Sequence, residues 1–399
     1  MIEPAHVADG SAVVERIETI PIALPVRREW RWRGLDAELG QWVIVRVYAD
    51  TGLVGYGEAT PLADWGGDFN SYAGETPATV GHVVAELLGP ALVGADPFDI
   101  ERIAERMDDV IKGHTYAKAA IEMALYDLQG KSCGLPVYRL LGGRYRRGVP
   151  IAHMIGIMSR EEALEEARIA REDGCRAFQI KGTGELERDV EIIAALRQEL
   201  GADFMLRLDA NQGYRRRGVK EVIRSVRMLE AAGIDAIEQP TEGLEQMAAV
   251  RAAVDVTVIA DESCWQPTDV VRVAQAGAAD AISIYVAKAG GLGRARKVAT
   301  IAEANGFPCD VNGSLESGVG NAASVHLATA MPSISLPAVI PITAPSGTGS
   351  ARAAGRYYAD DIVSAPFVYE DGLLLAPEGP GLGVEIDEEK LAAYRVDTR

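Results

Sequence analysis

From about residue 149 to 341 one pattern recurs along the chain: a short β-branched run, an acidic or glycine-marked turn, then a longer stretch with aliphatics on one face and charges on the other. The short runs fall at residues 151–155, 177–181, 204–209, 236–238, 256–261, 281–286 and 307–312, with a weaker eighth at 335–340. Their starts lie roughly 20 to 30 residues apart, the βα repeat of a closed parallel barrel rather than of an open sheet with a glycine-rich nucleotide turn. Segments such as 161–173 and 189–200 supply the outer helices. Ahead of this, residues 13–21 and 41–48 alternate apolar and polar positions, and Asp50-Thr51-Gly52 marks a hairpin turn, so residues 12–57 read as a strand meander. Between residues 76 and 131 the spacing becomes helical, with Val80, Val83, Val84, Leu87 and Leu88 on one face and a second amphipathic stretch at 117–128.

The fold class that follows is α/β: a TIM-type (β/α)7β barrel over residues 146–355, an α+β capping domain over 1–145, and a C-terminal segment, 356–399, packing back on the cap. At 399 residues the chain holds a barrel of roughly 250 residues plus such a cap. The run Pro377-Glu378-Gly379-Pro380-Gly381-Leu382-Gly383 ends the barrel pattern with turn formers.

Composition narrows the function. A formal charge of −18 argues against nucleic-acid or anionic-membrane partners, which need a basic footprint, and leaves a small molecule as the expected partner, with a homo-oligomer as the expected assembly. No apolar run approaches a membrane span, and residues 1–15 lack the basic and apolar regions of a secretory signal, so the cytoplasm is the expected location. Cys133, Cys175, Cys264 and Cys309 are scattered, without metal or disulfide spacing, and are expected to be buried thiols.

In a barrel of this type chemistry sits at the carboxyl ends of the strands. Four strands end on suitable residues: Lys181, Asp209, Glu238 and Asp261. The three acids are 29 and 23 residues apart, about one βα unit each, so successive strands present one carboxylate apiece. A single acid at a strand end commonly caps the next helix. Three converging carboxylates repel one another unless a cation lies among them, and oxygen-only ligands favour Mg²⁺ or Mn²⁺. For the third ligand Asp261 is preferred to the adjacent Glu262, since only one of the pair is expected to face inward. Lys181, inward-facing beside such a cation, is expected to be pushed toward its neutral form and to act as a base.

These residues carry a resemblance. The chain resembles the enolase superfamily, in its muconate lactonizing enzyme and mandelate racemase branch, through Gly55-Tyr56-Gly57-Glu58-Ala59, the Lys181 strand, Asp209-Ala210-Asn211-Gln212, Glu238-Gln239-Pro240, Asp261-Glu262-Ser263, Lys288-Ala289-Gly290-Gly291-Leu292 and Pro380-Gly381-Leu382-Gly383. The resemblance implies Mg²⁺ on a substrate carboxylate, removal of the α proton and a metal-stabilised enediolate. It also implies cap loops closing the site, by position residues 29–36 with Trp30 and Trp32, and residues 61–72 with Trp65, Gly66 and Gly67.

Two departures set the expected chemistry. The usual Lys-x-Lys of the second strand is Gln179-Ile180-Lys181 here, keeping only the lysine that faces the α carbon in the branch. The second lysine, expected 24 residues after the third metal ligand, is Tyr285, with Lys288 three residues further on. A phenol of ordinary pKa near 10 is a poor base and a good hydrogen-bond donor. One-base reactions therefore lead: cycloisomerisation, as in muconate cycloisomerases, or β-elimination of water, with Lys181 and Tyr285 catalytic. A two-base racemase or epimerase, with Tyr285 ionised or Lys288 reaching in, is the alternative, and a non-catalytic carboxylate-binding barrel the third. Gln179, Asn211, Lys288, Asn312, Glu316 and Trp32 are the expected substrate contacts, and Asp310 and Ser314 share the parity of Asn312. His153 and His326 are expected to be structural.

Overall fold

The computed structural model describes residues 12–33, 35 and 39–397. The reading of residues 1–11, and Gly34 and Asp36 of the first cap loop, lie outside the described residues.

The meander forms an antiparallel sheet, β1 (Val14–Ala23), β2 (Gln41–Ala49) and β3 (Val54–Ala59), in that order. Two helices complete the core of the cap, α1 (Ile100–Val110) and α2 (Thr115–Cys133). The expected amphipathic face on residues 117–128 is a correction to make, because every residue of α2 from Thr115 to Gly130 is buried. The cause is its place between the β2–β3 sheet and the one-turn helix Val286–Ala289 of the barrel, so that no side of it meets water. Leu87, expected on the apolar face, is also turned outward (37% exposed), because residues Val83–Leu88 form a π-helical turn that shifts the 3.6-residue phase. Cys133 is likewise exposed rather than buried, since α2 emerges from its packing there; the other three cysteines are buried, and all four are free.

Glycine makes the contact between sheet and α2 possible. A Cβ on Gly55 would lie 2.0 Å from Ala124 O, and one on Gly57 only 1.8 Å from Ala120 O. Next to them Glu58 accepts from Ser317 N (2.8 Å) and Gly320 N (2.9 Å) at the start of a barrel helix. Asp127 on α2 accepts from Tyr56 N (2.9 Å), Leu382 N (2.8 Å) and Lys131 Nζ (2.6 Å). Two buried carboxylates thus tie the glycine turn to the barrel and to the C-terminal segment, each accepting from backbone donors that would otherwise be orphaned.

The barrel is a seven-stranded parallel sheet in chain order: β4 (Ala152–Ile155), β5 (Ala177–Lys181), β6 (Met205–Asp209), β7 (Ala236–Glu238), β8 (Thr257–Ala260), β9 (Ala281–Ile284) and β10 (Cys309–Val311). The weak eighth run is not a strand; single parallel bridges, Cys309 to Ile334 and Ile151 to Ala338, close the ring through it. Helices α3 (Arg160–Glu172), α4 (Leu186–Leu200), α5 (Val219–Ala232), α6 (Leu244–Arg251), α7 (Pro267–Ala276), α8 (Leu292–Ala304) and α9 (Gly318–Ala330) form the outer layer. Among the described residues no helix is long and apolar enough to cross a membrane.

A second anchor joins the cap to the barrel. Glu166 on α3 takes hydrogen bonds from Arg27 and from His153 Nε2 (3.1 Å), while His153 Nδ1 accepts from Gly355 N (3.1 Å). His153 is fully buried and stacks on Tyr357, so it is structural. His326 is buried as well, its Nε2 3.0 Å from Leu382 O.

Gly57→Ala is expected to lower stability by about 3 kcal/mol, because backbone oxygen cannot yield to a Cβ; an unchanged denaturant midpoint would contradict that contact. Burial alone would raise the Glu166 pKa, but the hydrogen bonds from His153 and Arg27 outweigh it and hold the group at about 2. A depressed pKa means stability present above the ordinary carboxylate range and lost as the pH falls from about 5 toward 2. Glu166→Gln is expected to flatten this acid limb of the melting temperature, read as Tm against pH.

Candidate active site

Strand parity brings the chemistry inside the barrel. Lys181 on β5 is the register partner of Asp209 on β6, and Asp209 is the partner of Glu238 on β7. Glu238 pairs with Ile259 of β8, so Asp261 stands two residues further, just past the strand end, as the stagger of a barrel requires. All three carboxylates are fully buried.

Their partners differ. Lys181 Nζ meets Asp209 Oδ2 at 2.6 Å, and Lys288 Nζ meets Asp261 Oδ1 at 2.6 Å. Glu238 lies between them with no hydrogen bond to either oxygen, and its nearest cation is Arg207 Nε at 3.3 Å. Burial, joined by the charge of Asp209 and then of Asp261, pushes the Glu238 carboxyl well above its ordinary range, and Arg207 does not reverse it. Burial raises Asp261 too, with Asp209 adding to it against Lys288. Among the described residues no three His, Cys, Asp or Glu side chains are already gathered into a metal cluster. The donor set nonetheless fits a hard cation: every candidate ligand atom is a carboxylate oxygen, and two of them are buried without a partner, which costs about 1–3 kcal/mol or more unless something completes them.

For Lys181, burial favours the neutral amine, while the uncompensated charges of Asp209, then Glu238 and Asp261, outweigh it and raise the pKa, so the expected shift toward neutrality requires a cation among those carboxylates. Two expectations about these groups need correcting. Asp261 and Glu262 do not exclude one another. Glu262 accepts from Asn211 Nδ2 at 3.2 Å and lines the cavity, while Asp261 faces Lys288 behind it. Tyr285 does not sit on a strand; β9 ends at Ile284, and Tyr285 precedes the one-turn helix Val286–Ala289. Its hydroxyl is 3.4 Å from Asp261 Oδ2, and burial, followed by the charges of Asp261 and Glu238, raises its pKa well above the ordinary phenol value.

A cavity of about 420 Å³ opens above the carboxylates. Gln179, Lys181, Asn211, Tyr285, Asn312, Ser314 and Trp32 line it. Lys288, Glu316 and Asp310 do not. The Lys288 amine is buried and donates to Asp261 Oδ1, Asp261 O (3.0 Å) and Ser283 O (2.9 Å), which uses all three protons, so it positions Asp261 instead of reaching substrate. Glu316 faces the cap, accepting from Thr60 Oγ1 (3.3 Å) and Ser314 N (3.1 Å), and Asp310 is held beneath the cavity by Arg207.

Arg207 is the residue sequence reasoning missed. Buried on β6, it bonds Asp310 and Gln179 and stands beside Glu238. The signal was available: Arg207 shares the inward parity of Asp209 in Leu206-Arg207-Leu208-Asp209.

The cap supplies the roof with Trp32, Arg33, Leu62, Asp64 and Trp65. Trp65 packs against Trp265 and Tyr285, with ring centroids 4.9 and 5.0 Å away, whereas Trp30 is buried away from the cavity against Tyr357. Asp68, in the same loop as Trp65, latches it to the barrel by accepting from Gln212 Nε2 (2.7 Å), Ser263 Oγ (2.6 Å) and Gly243 N (3.2 Å). Ser263 in turn accepts from Gln239 Nε2, whose Oε1 receives Asp261 N at 2.9 Å, so the lid contact is two side chains from a candidate metal ligand.

Comparison with known proteins agrees with this architecture. Residues 37–142 match the mandelate racemase / muconate lactonizing enzyme N-terminal domain, and residues 162–390 the enolase C-terminal domain-like family. This chain belongs to the enolase superfamily. Within its muconate lactonizing enzyme and mandelate racemase branch, the chain is 33% identical over 356 residues to an N-succinyl-L-Arg/Lys racemase of Bacillus cereus, covering 89% of this chain and 90% of that protein. The structure of a muconate lactonizing enzyme from Pseudomonas fluorescens complexed with muconolactone superposes with a TM-score of 0.86 at 31% identity, covering 97% of this chain and all of that one. A dipeptide epimerase from Enterococcus faecalis complexed with Mg and the dipeptide L-Leu-L-Tyr gives 0.82 at 31% identity, covering 94% and 99%. The branch thus holds isomerases of several substrates on one enolase-superfamily scaffold.

An orphaned carboxylate among like charges destabilises the metal-free protein. Glu238→Gln is expected to raise metal-free stability by about 1–3 kcal/mol while abolishing any rise in Tm on adding MgCl₂. A variant that melts with wild type in EDTA would contradict the orphan assignment.

Proposed function

We propose that this enolase-superfamily member is a Mg²⁺-dependent enzyme in which Lys181 moves the proton at the carbon α to a substrate carboxylate, ending in cycloisomerisation or β-elimination of water. The observation that carries the reading is the pairing across the barrel mouth: Lys181 at the end of β5 and Tyr285 after β9, four strands apart in an eight-stave ring, both line the one cavity. A divalent cation held by Asp209, Glu238 and Asp261 would supply charge stabilisation for the carboxylate as it gains electrons. Mn²⁺ suits the same oxygens.

Lys181 does the proton transfer. Its amine is held by Asp209 Oδ2 and Asn211 Oδ1 (3.3 Å) and lies 5.5 Å from the Trp32 ring centre. The carboxylates that keep it protonated are the candidate metal ligands, so compensating their charge lowers its pKa toward a usable base. Gln179 Nε2 donates to Asp209 at 3.0 Å and fixes it beside the amine. Tyr285 can donate a hydrogen bond from its hydroxyl, and a phenol of ordinary pKa near 10 is a poor base, which favours one-base chemistry over racemisation. Trp32, Trp65 and Leu62 roof the cavity and limit water.

The test is turnover of α-hydroxy acids, N-acylated amino acids, dipeptides and muconates with Mg²⁺ in D₂O. Lys181→Ala is expected to lose at least a thousandfold in turnover while keeping its Mg²⁺-induced Tm shift. Deuterium at the α position with inversion would sink the one-base reading in favour of an epimerase, and full activity in Lys181→Ala would remove Lys181 as the base.

A further inference from the structure

One carboxylate of the cap bonds to the turns that follow all three candidate metal ligands. Asp68 Oδ1 accepts from Gln212 Nε2 at 2.7 Å, and its Oδ2 accepts from Ser263 Oγ at 2.6 Å and from Gly243 N at 3.2 Å. Gln212 follows Asp209 by three residues, Gly243 follows Glu238 by five, and Ser263 follows Asp261 by two. Asp68 therefore stands as a tripod over three successive strand ends.

Those turns are not relaxed. Asn211, Gln212 and Gln239 hold φ of +41°, +57° and +38°, left-handed values that persist in residues with side chains only where the surroundings over-determine them. The contacts that hold them form one chain. Gln212 N donates to Gln239 O at 2.8 Å, Gln239 Nε2 donates to Ser263 Oγ at 2.6 Å, and Gln239 Oε1 accepts from Asp261 N at 2.9 Å and Ser263 N at 3.2 Å. Asn211 N, beside Gln212, donates to Asp209 Oδ1 at 3.0 Å. Asp68 closes this chain at both ends, Gln212 and Ser263. Without it the Gln212 amide and the Ser263 hydroxyl lose their acceptor, and the left-handed turns can relax and carry Asp209 and Asp261 with them.

The loop that delivers Asp68 is closely seated. Gly67 holds φ +75°, and a Cβ there would lie 2.8 Å from the Tyr72 ring and 3.3 Å from Glu262 O, the backbone next to Asp261. Tyr72 fastens the far end of the loop by another route, stacking on Trp265 with ring centroids 4.6 Å apart and donating to Asp269 Oδ2 at 2.6 Å. Asp269 lies in the first turn of α7 and not in a ligand turn. The roof thus has two fastenings, and only one of them leads to the carboxylates.

We infer that Asp68 is a positioning residue for the metal site: with the cap closed it holds the turns after Asp209, Glu238 and Asp261 in ligand geometry, so a divalent cation binds the closed cap more tightly than the open one. The inference rests on the reading of a cation among those three carboxylates. Side chains that orient metal ligands without touching the metal contribute about 10- to 100-fold in affinity. The coupling is reciprocal by thermodynamic linkage, so what closure adds to cation affinity the cation adds to closure.

Both sides of that coupling can be measured. Calorimetric titration with MgCl₂ reads the affinity. Chymotrypsin reads closure, because Phe69 beside Asp68 is 69% exposed and its cleavage requires the loop to leave its seat. Wild type is expected to bind Mg²⁺, and MgCl₂ to slow cleavage after Phe69, identified by fragment mass, by about tenfold. Asp68→Ala is expected to bind Mg²⁺ about tenfold more weakly or worse and to be cut at one rate in MgCl₂ and in EDTA. Asp68→Asn, which keeps one acceptor oxygen, is expected to fall between the two, with circular dichroism confirming that each variant is folded. Tyr72→Phe is expected to be cut faster while keeping Mg²⁺ affinity within about twofold of wild type, since its ligand turns stay clamped in the dominant closed state. Undiminished Mg²⁺ affinity in Asp68→Ala, or wild-type cleavage that MgCl₂ does not slow, would overturn the role of Asp68 and leave the metal reading standing. A loss in Tyr72→Phe as large as in Asp68→Ala would also overturn it, because any loosening of the roof would then suffice. Wild type that binds no Mg²⁺ would overturn the metal reading and this inference with it.

Discussion

Three buried carboxylates that cannot all remain charged without a cation set the terms for the rest of the site. Asp209, Glu238 and Asp261 are forced together by strand register, and the protein meets them with Lys181, Arg207 and Lys288. The compensation is uneven: each aspartate has a lysine at hydrogen-bond distance, while Glu238 has only a glancing contact with Arg207. The gap in compensation lies at the centre of the cluster, where a divalent ion would make the largest electrostatic difference. On the proposed reading, the metal site and the metal-free instability are the same feature.

On the proposed reading, that arrangement also joins metal binding to proton transfer. The lysine that touches Asp209 is the one that lines the cavity, so the charge state of the carboxylates decides whether its amine carries a proton. Lys288, by contrast, is locked behind Asp261 with all its protons in use. Two lysines at similar distances from the cluster thus have opposite accessibility, and the phenol of Tyr285 stands where an amine could have faced the cavity. The cap adds its own constraint through Asp68, whose bonds to Gln212 and Ser263 make the roof loop continuous with residues beside the carboxylates.

The barrel and its carboxylates were legible because both follow from short-range rules: βα repeat length, and parity at strand ends. What resisted reading was set by partners distant in sequence. The all-round burial of α2 depends on glycines 55 and 57 and on a barrel helix some 160 residues later, so a hydrophobic face counted along α2 alone missed it. The placement of Lys288 and Glu316 depended on whether a side chain turns toward the cavity or away from it, which spacing does not encode once a strand has ended. Arg207 was readable by parity and was overlooked because an arginine within an apolar strand is ordinarily assigned outward. Arg33, on the cavity roof, was beyond reach, since Thr183 O and the turns at Gly184 and Gly213 that hold it lie 150 to 180 residues away.

The C-terminal segment carries a consequence for how the molecule is made. Gly381 and Leu382 bond to α2 and the loop after it, and Ala23 and Val396 exchange backbone bonds with Tyr394 and Pro21 beside β1. The cap is therefore assembled from segments that leave the ribosome before and after the entire barrel. The β1–β3 sheet emerges early with its outer strand only partly covered, and its last partners arrive after every barrel strand has been synthesised. Barrel closure and cap completion are bound to coincide late in synthesis, and until then the exposed edge of β1 is the surface most in need of protection from pairing with other chains.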